Sequence, residues 1–377
     1  MPTSAGSPPL SEPGLHGAAR PRRLGVVVNP TAGRGRAVHA GAGVLAGLRR
    51  AGHDVVDLSG PDADAALARA RAAVDGTGGT GVDALVVVGG DGMVHLGAQA
   101  VAGTDVPLGI VPVGTGNDFA ATLGLPVRDP GAAGVALCRA LDAGAAGRRP
   151  VDAALVTGPG LVSPGSGADQ GAGRADGPRW VAGAVSAGLD AAVNARANRL
   201  RHPRGSARYT VAAALELVRY RPWSYRLTFD GVADGPAGLR SGAGSALHLR
   251  PGPGGTATWS GRAALVAAAN GPQIGGGIRV APAASLDDGL LDVLVATDLS
   301  RAGALAVFPS MFTGSHVRRR KVHVVRARAV TIEPGPDAWV AGERPLPVAH
   351  ADGERLGPLP LRVEVRARAL QVLVAPR

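Results

Sequence analysis

Short, wholly apolar runs alternate with longer mixed segments through the first 150 residues. Leu24-Gly25-Val26-Val27-Val28 reads as a buried strand, and Ala37 to Ala51 as a helix of small residues. Asp54 to Leu58 is a second short strand. Pro61 then sits where proline is tolerated, in the first turn of a helix reaching Val74. Ala84 to Val88 and Pro107 to Val113 are the third and fourth strands, and a further helix is expected from Ala132 to Ala143. Strands that are apolar on both faces and separated by helices predict a doubly wound α/β layer with a parallel sheet.

The texture changes near Pro150. Strand signals crowd together at Val151–Thr157, Trp180–Ser186, Tyr225–Phe229, Ala263–Ala269, Leu290–Ala296, Val322–Val325, Val330–Glu333 and Leu361–Val365. Helical patterns are fewer, at Ala191–Leu200, Tyr209–Arg219 and Arg301–Phe308. Such a run predicts a mainly antiparallel second domain. The expected division is a disordered tail over 1–22, an α/β domain over 23–149 and a β-rich domain over 150–377. Low-complexity loops are expected near 158–177 and 231–255.

Composition narrows the partners. The formal charge is +11, but all basic residues except Lys321 are arginine and aromatics make up only 3%. No basic run is interleaved with stacking aromatics, which argues against nucleic acid and leaves an anionic membrane as the charged partner. Cys138 is the single cysteine, so an intrachain disulfide and a cysteine zinc cluster are excluded and a reducing cytoplasm is the expected home. No stretch of 18 apolar residues is present, so membrane association should be peripheral, at the inner face. Self-association as a homodimer stays open.

The chemistry lies where the apolar runs break. Val86-Val87-Val88 runs into Gly89-Gly90-Asp91-Gly92, and the fourth strand runs into Gly114-Thr115-Gly116-Asn117-Asp118. Glycine lets backbone amides approach an anion without a Cβ in the way. Two such turns at the ends of neighbouring strands predict a phosphate crevice. The earlier turn Asn29-Pro30-Thr31-Ala32-Gly33-Arg34-Gly35 adds a third, with Asn29, Thr31 and Gly33 as contacts. Asp91 suits a magnesium ion or a hydroxyl, Thr115 and Asn117 are neutral donors, and Asp118 is either a helix cap or a ligand. Asp287-Asp288-Gly289 and Asp352-Gly353-Glu354 are further acidic turns, each readable as a plain solvated turn.

Taken together, these blocks resemble the diacylglycerol kinase catalytic-domain family, bacterial lipid kinases related to sphingosine kinases. The resemblance runs from about Arg22 to the C-terminus. Asn29–Gly35, Gly89–Gly92, Gly114–Ala120, Asn270–Gly277 and Ala281–Asp292 carry it. It implies a nucleotide cleft between the α/β domain and a C-terminal β-sandwich, with ATP across the glycine turns and a lipid hydroxyl, most often that of diacylglycerol, attacking the γ-phosphate. It implies Asp288 as general base with Asp287 as the alternative, Mg2+ near Asp91 and Asp352, and a nucleotide contact from Glu354. Sphingoid-type lipids, NAD, or regulation without turnover are the alternative readings. The chain departs from the family where Met93-Val94-His95-Leu96 replaces a threonine and a Val-Asn-Glu-like stretch. His95 then either takes over a donor's role or lies on a helix surface. Arg318-Arg319-Arg320-Lys321, with Arg196, Arg199, Arg201 and Arg204, reads either as a basic rim facing lipid or as a solvated charged face, the commoner outcome for such runs.

Overall fold

The computed structural model describes residues 21–29, 36–77, 81–162, 177–200, 211–212, 215–216, 220, 222–233, 239–241, 247–336 and 348–376. The predicted tail, most of both low-complexity loops and most of the Tyr209–Arg219 helix lie outside them.

Strands β1 (Arg23–Val28), β2 (Asp54–Asp57), β3 (Ala84–Gly89) and β4 (Leu108–Pro112) form a parallel layer in the order β4-β3-β1-β2. Five helices belong to this half: α1 (Arg36–Arg50), α2 (Ala63–Val74), α3 (Asp91–Val101), α4 (Asp118–Thr122) and α5 (Pro130–Asp142). Successive β3 residues serve opposite faces. Val86 and Val88 pack with Val44, Leu48, Leu137 and Leu141 of α1 and α5, while Leu85 and Val87 pack with Leu67, Val94 and Ala98 of α2 and α3. Both faces are covered, so the central strands β3 and β4 are buried throughout, while the edge strand β2 begins and ends in exposed aspartates. The second helix starts after Pro61, because Asp62 caps it by accepting from the Ala65 amide at 2.8 Å.

The C-terminal half is a mainly antiparallel sandwich. Its strands are β5 (Arg148–Thr157), β6 (Arg179–Val181), β7 (Ala184–Gly188), β8 (Trp223–Val232), β9 (Leu239–Ser241), β10 (Arg250–Pro251), β11 (Ala257–Ala269), β12 (Leu291–Thr297), β13 (Val322–Pro334), β14 (Ala349–Ala351), β15 (Glu354–Gly357) and β16 (Leu361–Leu373). Helices α6 (Leu189–Arg199) and α7 (Arg301–Thr313) accompany them. The predicted Trp180–Ser186 strand is two strands, broken at Ala182-Gly183. The two strands predicted over Val322–Glu333 are one.

β5 and β16 pair antiparallel along most of their length and belong to both halves. Ala154, Val156, Leu361, Val363 and Val365 lie in the sandwich core. Val151, Ala153, Leu370 and Val372 lie in the α/β core, where Val372 pairs parallel with Leu108 of β4. The register slips between Arg366 and Leu370, with Arg368 at a φ of 56°, where β16 passes from one core to the other.

Candidate active site

The turns after β1, β3 and β4 open at the same edge of the parallel layer, since these strands are neighbours. The Asn29 amide donates to the Val88 carbonyl and the Val113 amide to the Gly89 carbonyl, so the three chains leave the sheet side by side. Thr31 and Gly33 lie outside the described residues. The other two turns touch backbone to backbone. A Cβ on Gly114 would stand 2.5 Å from the Gly90 Cα, and one on Gly90 would stand 3.2 Å from the Gly114 Cα. A Cβ on Gly89 would strike Met93, whose buried side chain fills that space. Glycine is therefore required here for turn-on-turn packing as well as for approach to an anion. Gly90 is also the N-cap of α3 and offers no side chain, so among the described residues no side chain caps the helix end that faces the crevice.

Asp91 and Asn117 lock the turns rather than reach outward. Asp91 Oδ2 accepts from the Asn117 amide at 2.8 Å, and Oδ1 from the Phe119 amide at 3.4 Å. Burial, with Asp118 and Asp352 nearby, pushes the Asp91 carboxyl up to about 6 against the pull of those amides. Asn117 stands in the left-handed region at a φ of 61°. Its side chain closes its own turn, accepting from the Gly114 amide and donating to the Gly114 carbonyl, both at 3.0 Å. Its expected role as an outward donor is replaced by this clamp. Thr115, at the turn tip, is exposed. Asp118 is not the cap, because Asn117 holds that position. Its Oδ2 instead accepts from the Gly276 amide at 2.6 Å, binding the left-handed Gly275-Gly276-Gly277 turn of the sandwich to the α/β half. Burial pushes Asp118 upward too.

Asp352, expected as a metal ligand, sits inside a ring of donors. Its carboxylate accepts from the amides of Ala182, Gly183 and Ala184 at 3.1–3.2 Å and from His95 Nδ1 at 3.2 Å. A carboxylate filled by four donors and 8% exposed is a strut between the halves, not an open metal or ribose ligand. His95 is buried, not on a helix surface. Arg179 has only donors, so His95 Nε2 must accept from it, at 3.0 Å, which leaves Nδ1 to donate to Asp352. Burial draws the Arg179 guanidinium down to about 10, opposed by Glu354. Gln99, one helical turn beyond His95, bonds both backbone groups of Trp180. Glu354 flanks the crevice, its Oε1 3.7 Å from where a Cβ on Gly92 would lie.

A second polar strut underlies the Asp287-Asp288 turn. The buried Asp152 accepts from the Gly289 amide at 2.7 Å and from the Arg368 amide at 2.8 Å, pinning that turn to the β16 slip. Asn270 Nδ2 donates to the carbonyls of Asp152 and Ala182 at 2.9 and 2.8 Å, joining the two struts. Sequence reasoning assigned no role to Asp152, Asn270, Arg179 or Gln99. An aspartate inside the apolar strand Val151–Val156 was the available signal. Asp287 and Asp288 point to different partners. Asp287, half exposed, is held by the Ser285 hydroxyl at 2.6 Å and by Arg149 at 3.4 Å, which keep its carboxyl below the ordinary range. Asp288 is 26% exposed and bonds Arg326, which also lies 3.8 Å from Asp292.

Among the described residues no group of three metal-ligating side chains comes together. With Asp91 and Asp352 engaged by amides, the residues present do not make a protein cage for Mg2+. In the expected basic rim, Arg196 is paired with Glu216 at 2.6 Å. Arg201, Arg204 and the Arg199 side chain lie outside the described residues, while Arg318, Arg319, Arg320 and Lys321 are exposed. No described helix is long and apolar enough to cross a membrane.

Comparison with known proteins bears on this geometry. The diacylglycerol kinase catalytic domain matches residues 23–146, and the YegS C-terminal NAD kinase beta sandwich-like domain matches residues 183–374. A diacylglycerol kinase of Mycobacterium tuberculosis is 35% identical over 353 residues, covering 93% of this chain and 94% of its own. A probable lipid kinase YegS-like protein of Xanthomonas campestris is 28% identical over 78% of this chain and 79% of its own. In architecture, a putative diacylglycerol kinase from Bacillus anthracis superposes with a TM-score of 0.62 at 20% identity, covering 94% of this chain and 97% of that one.

Proposed function

The chain belongs to the diacylglycerol kinase family of lipid kinases, which are phosphotransferases, and from that premise we propose that it transfers the γ-phosphate of ATP to the hydroxyl of diacylglycerol, giving phosphatidic acid. The observation that carries the reading is the seam of glycine turns. Gly90 and Gly114 meet backbone to backbone at the ends of β3 and β4, and the Gly275–Gly277 turn is bonded across them to Asp118. The amides of these turns and the uncapped start of α3 would receive the phosphates, with Thr115 and Glu354 at the margin. Mg2+ would enter as part of the nucleotide substrate, held by its phosphate oxygens, in keeping with its habit of binding few protein ligands.

In this mechanism the lipid oxygen forms the new bond to the γ-phosphorus while the bond to the β-γ bridging oxygen breaks and ADP leaves. The hydroxyl proton passes to Asp288. Arg326 orients that carboxylate and has Asp292 beside it as a second anion when Asp288 is protonated. Asp152 fixes the turn that presents it.

Incubation with labelled ATP and a panel of acceptors in mixed micelles tests the reading. Label is expected in phosphatidic acid with diacylglycerol present. Label in a phosphorylated sphingoid base or in NADP would move the acceptor, and nucleotide binding without lipid-dependent transfer would make the protein a regulator. The seam itself is open to calorimetry. Gly114→Ala must push against Gly90 backbone, and overpacking of that kind costs about 1–3 kcal/mol. ATP affinity is expected to fall by on the order of tenfold or more, and less in Gly90→Ala, whose nearest contact is looser. Unchanged affinity in both would place the nucleotide elsewhere.

A further inference from the structure

Helix α7 has the sequence Arg301-Ala-Gly-Ala-Leu-Ala-Val-Phe-Pro-Ser-Met-Phe-Thr313, apolar almost all round after its first residue. A soluble helix of that kind is normally buried on every side. This one is not. Ala304 and Val307 pack into the sandwich, with Met311 against the core, while Ala302, Leu305, Ala306, Pro309 and Phe312 are exposed. The exposed positions step by three, one, three and three, so they form a single face. Leu305 is 61% exposed and Phe312 49%. Phe312 stacks edge-on to Phe308 at 5.8 Å, which braces the ring at the surface.

The helix ends beside a strongly basic run. After Gly314 and a short turn come Arg318, Arg319, Arg320 and Lys321, all exposed. Lys321 is 3.9 Å from Asp298, and among the described residues Arg318, Arg319 and Arg320 form no ion pair. The unit is firmly seated. The Arg279 amide donates to the Met311 carbonyl at 2.9 Å, and His316 Nε2 bonds the Val280 carbonyl at 3.1 Å. Residues 279 and 280 directly follow the Gly275–Gly277 turn that closes on Asp118. An apolar face flanked by cations thus adjoins the segment bordering the candidate cleft.

We infer that the exposed face of α7 and the Arg318–Lys321 run form a membrane-docking surface, with Leu305 and Phe312 entering the acyl boundary and the basic run resting on anionic headgroups. The charge pattern selects this occupant. A second copy meeting this face through its own would offer the basic run only the same excess of cations, whereas an anionic lipid surface complements both parts. The inference rests on the lipid-kinase reading only for its purpose, since docking is measured without nucleotide or turnover.

The test is flotation of the full chain with vesicles of phosphatidylcholine alone or with anionic phosphatidylglycerol, at low and high salt. Binding is expected to the anionic vesicles and to weaken with salt. Each basic residue near an anionic surface contributes about fivefold. Arg318→Gln, Arg319→Gln and Arg320→Gln together should therefore weaken binding by on the order of 100-fold. Leu305→Ser with Phe312→Ser should weaken it by on the order of tenfold or more, with a far smaller effect on the unfolding midpoint because both side chains are largely exposed. Brominated acyl chains should quench a Phe312→Trp reporter beyond the quenching of the four native tryptophans. Equal anionic-vesicle binding by all variants, or none by the parent chain, overturns the inference. Concentration-dependent self-association of the parent chain that Phe312→Ser abolishes, without vesicle binding, gives the face to a second copy instead.

Discussion

Asp288→Asn is expected to lower kcat by about 10²–10⁴-fold, the usual contribution of a general base, while ATP binding stays nearly intact. Asparagine keeps the size of the side chain, and its carbonyl can still accept from the Leu290 amide that now bonds Asp288 at 3.1 Å. What it removes is the proton acceptor and the ion pair with Arg326. Asp287→Asn is the control. Its carboxyl is half exposed, directed at Ser285 and Arg149, and held below the ordinary range by them. Its loss should cost turnover far less. Single-turnover rates and ATP Kd for both variants decide the matter. Near-normal turnover in Asp288→Asn would sink the assignment, and a selective loss in Asp287→Asn would transfer the role to the neighbouring residue.

Asp352→Ala should be the most destabilising single change in the site, by about 3–5 kcal/mol, as when one partner of a buried polar pair is deleted. The substitution strands the amides of Ala182, Gly183 and Ala184 and the Nδ1–H of His95 without their acceptor, and unmet buried donors cost about 1–3 kcal/mol each. It also leaves open the space that requires glycine at 183, where a Cβ would come within 2.4 Å of Asp352 Oδ1. Asp352→Asn should be milder, since its one carbonyl oxygen still accepts while its amide meets other donors. Denaturant unfolding of both, beside Glu354→Gln as a neighbour outside the strut, measures the effect. A shift in Asp352→Ala no larger than in Glu354→Gln would mean that Asp352 is dispensable to the fold.

The strands of the α/β layer were legible because burial on both faces leaves uninterrupted apolar runs such as Leu24–Val28 and Ala84–Val88. The same burial hid α3. Met93 to Val101 are all buried, so no exposed stripe marks a helical period, and the polar pair His95 and Gln99 faces inward. β16 was read only as far as Val365 because Arg366 and Arg368 sit at the slip between the two cores. The glycine turns were read as turns, but their mutual contact was not, since the 2.5 Å approach of Gly114 to Gly90 links residues on different strands. Acidic turn residues showed their type and not their partners. Asp91 and Asp352 look alike as ligands in sequence, and it is the amides facing them that make each a brace.

Strands β5 and β16 run from one core into the other, paired on both sides of the slip at Arg368. They act as a twin beam laid across the junction, and a beam of paired main chain resists bending. Swinging the two halves apart as rigid bodies would break ladder bonds on either side of the Arg368 slip and pull Asp152 from its amides. The molecule is therefore built without a free hinge at its waist. On the proposed reading, passage of nucleotide in and out falls to the small parts at the rim, above all the Gly275–Gly277 turn, where Gly276 and Gly277 face open space and their amide hydrogen bonds to Asp118 are what must release.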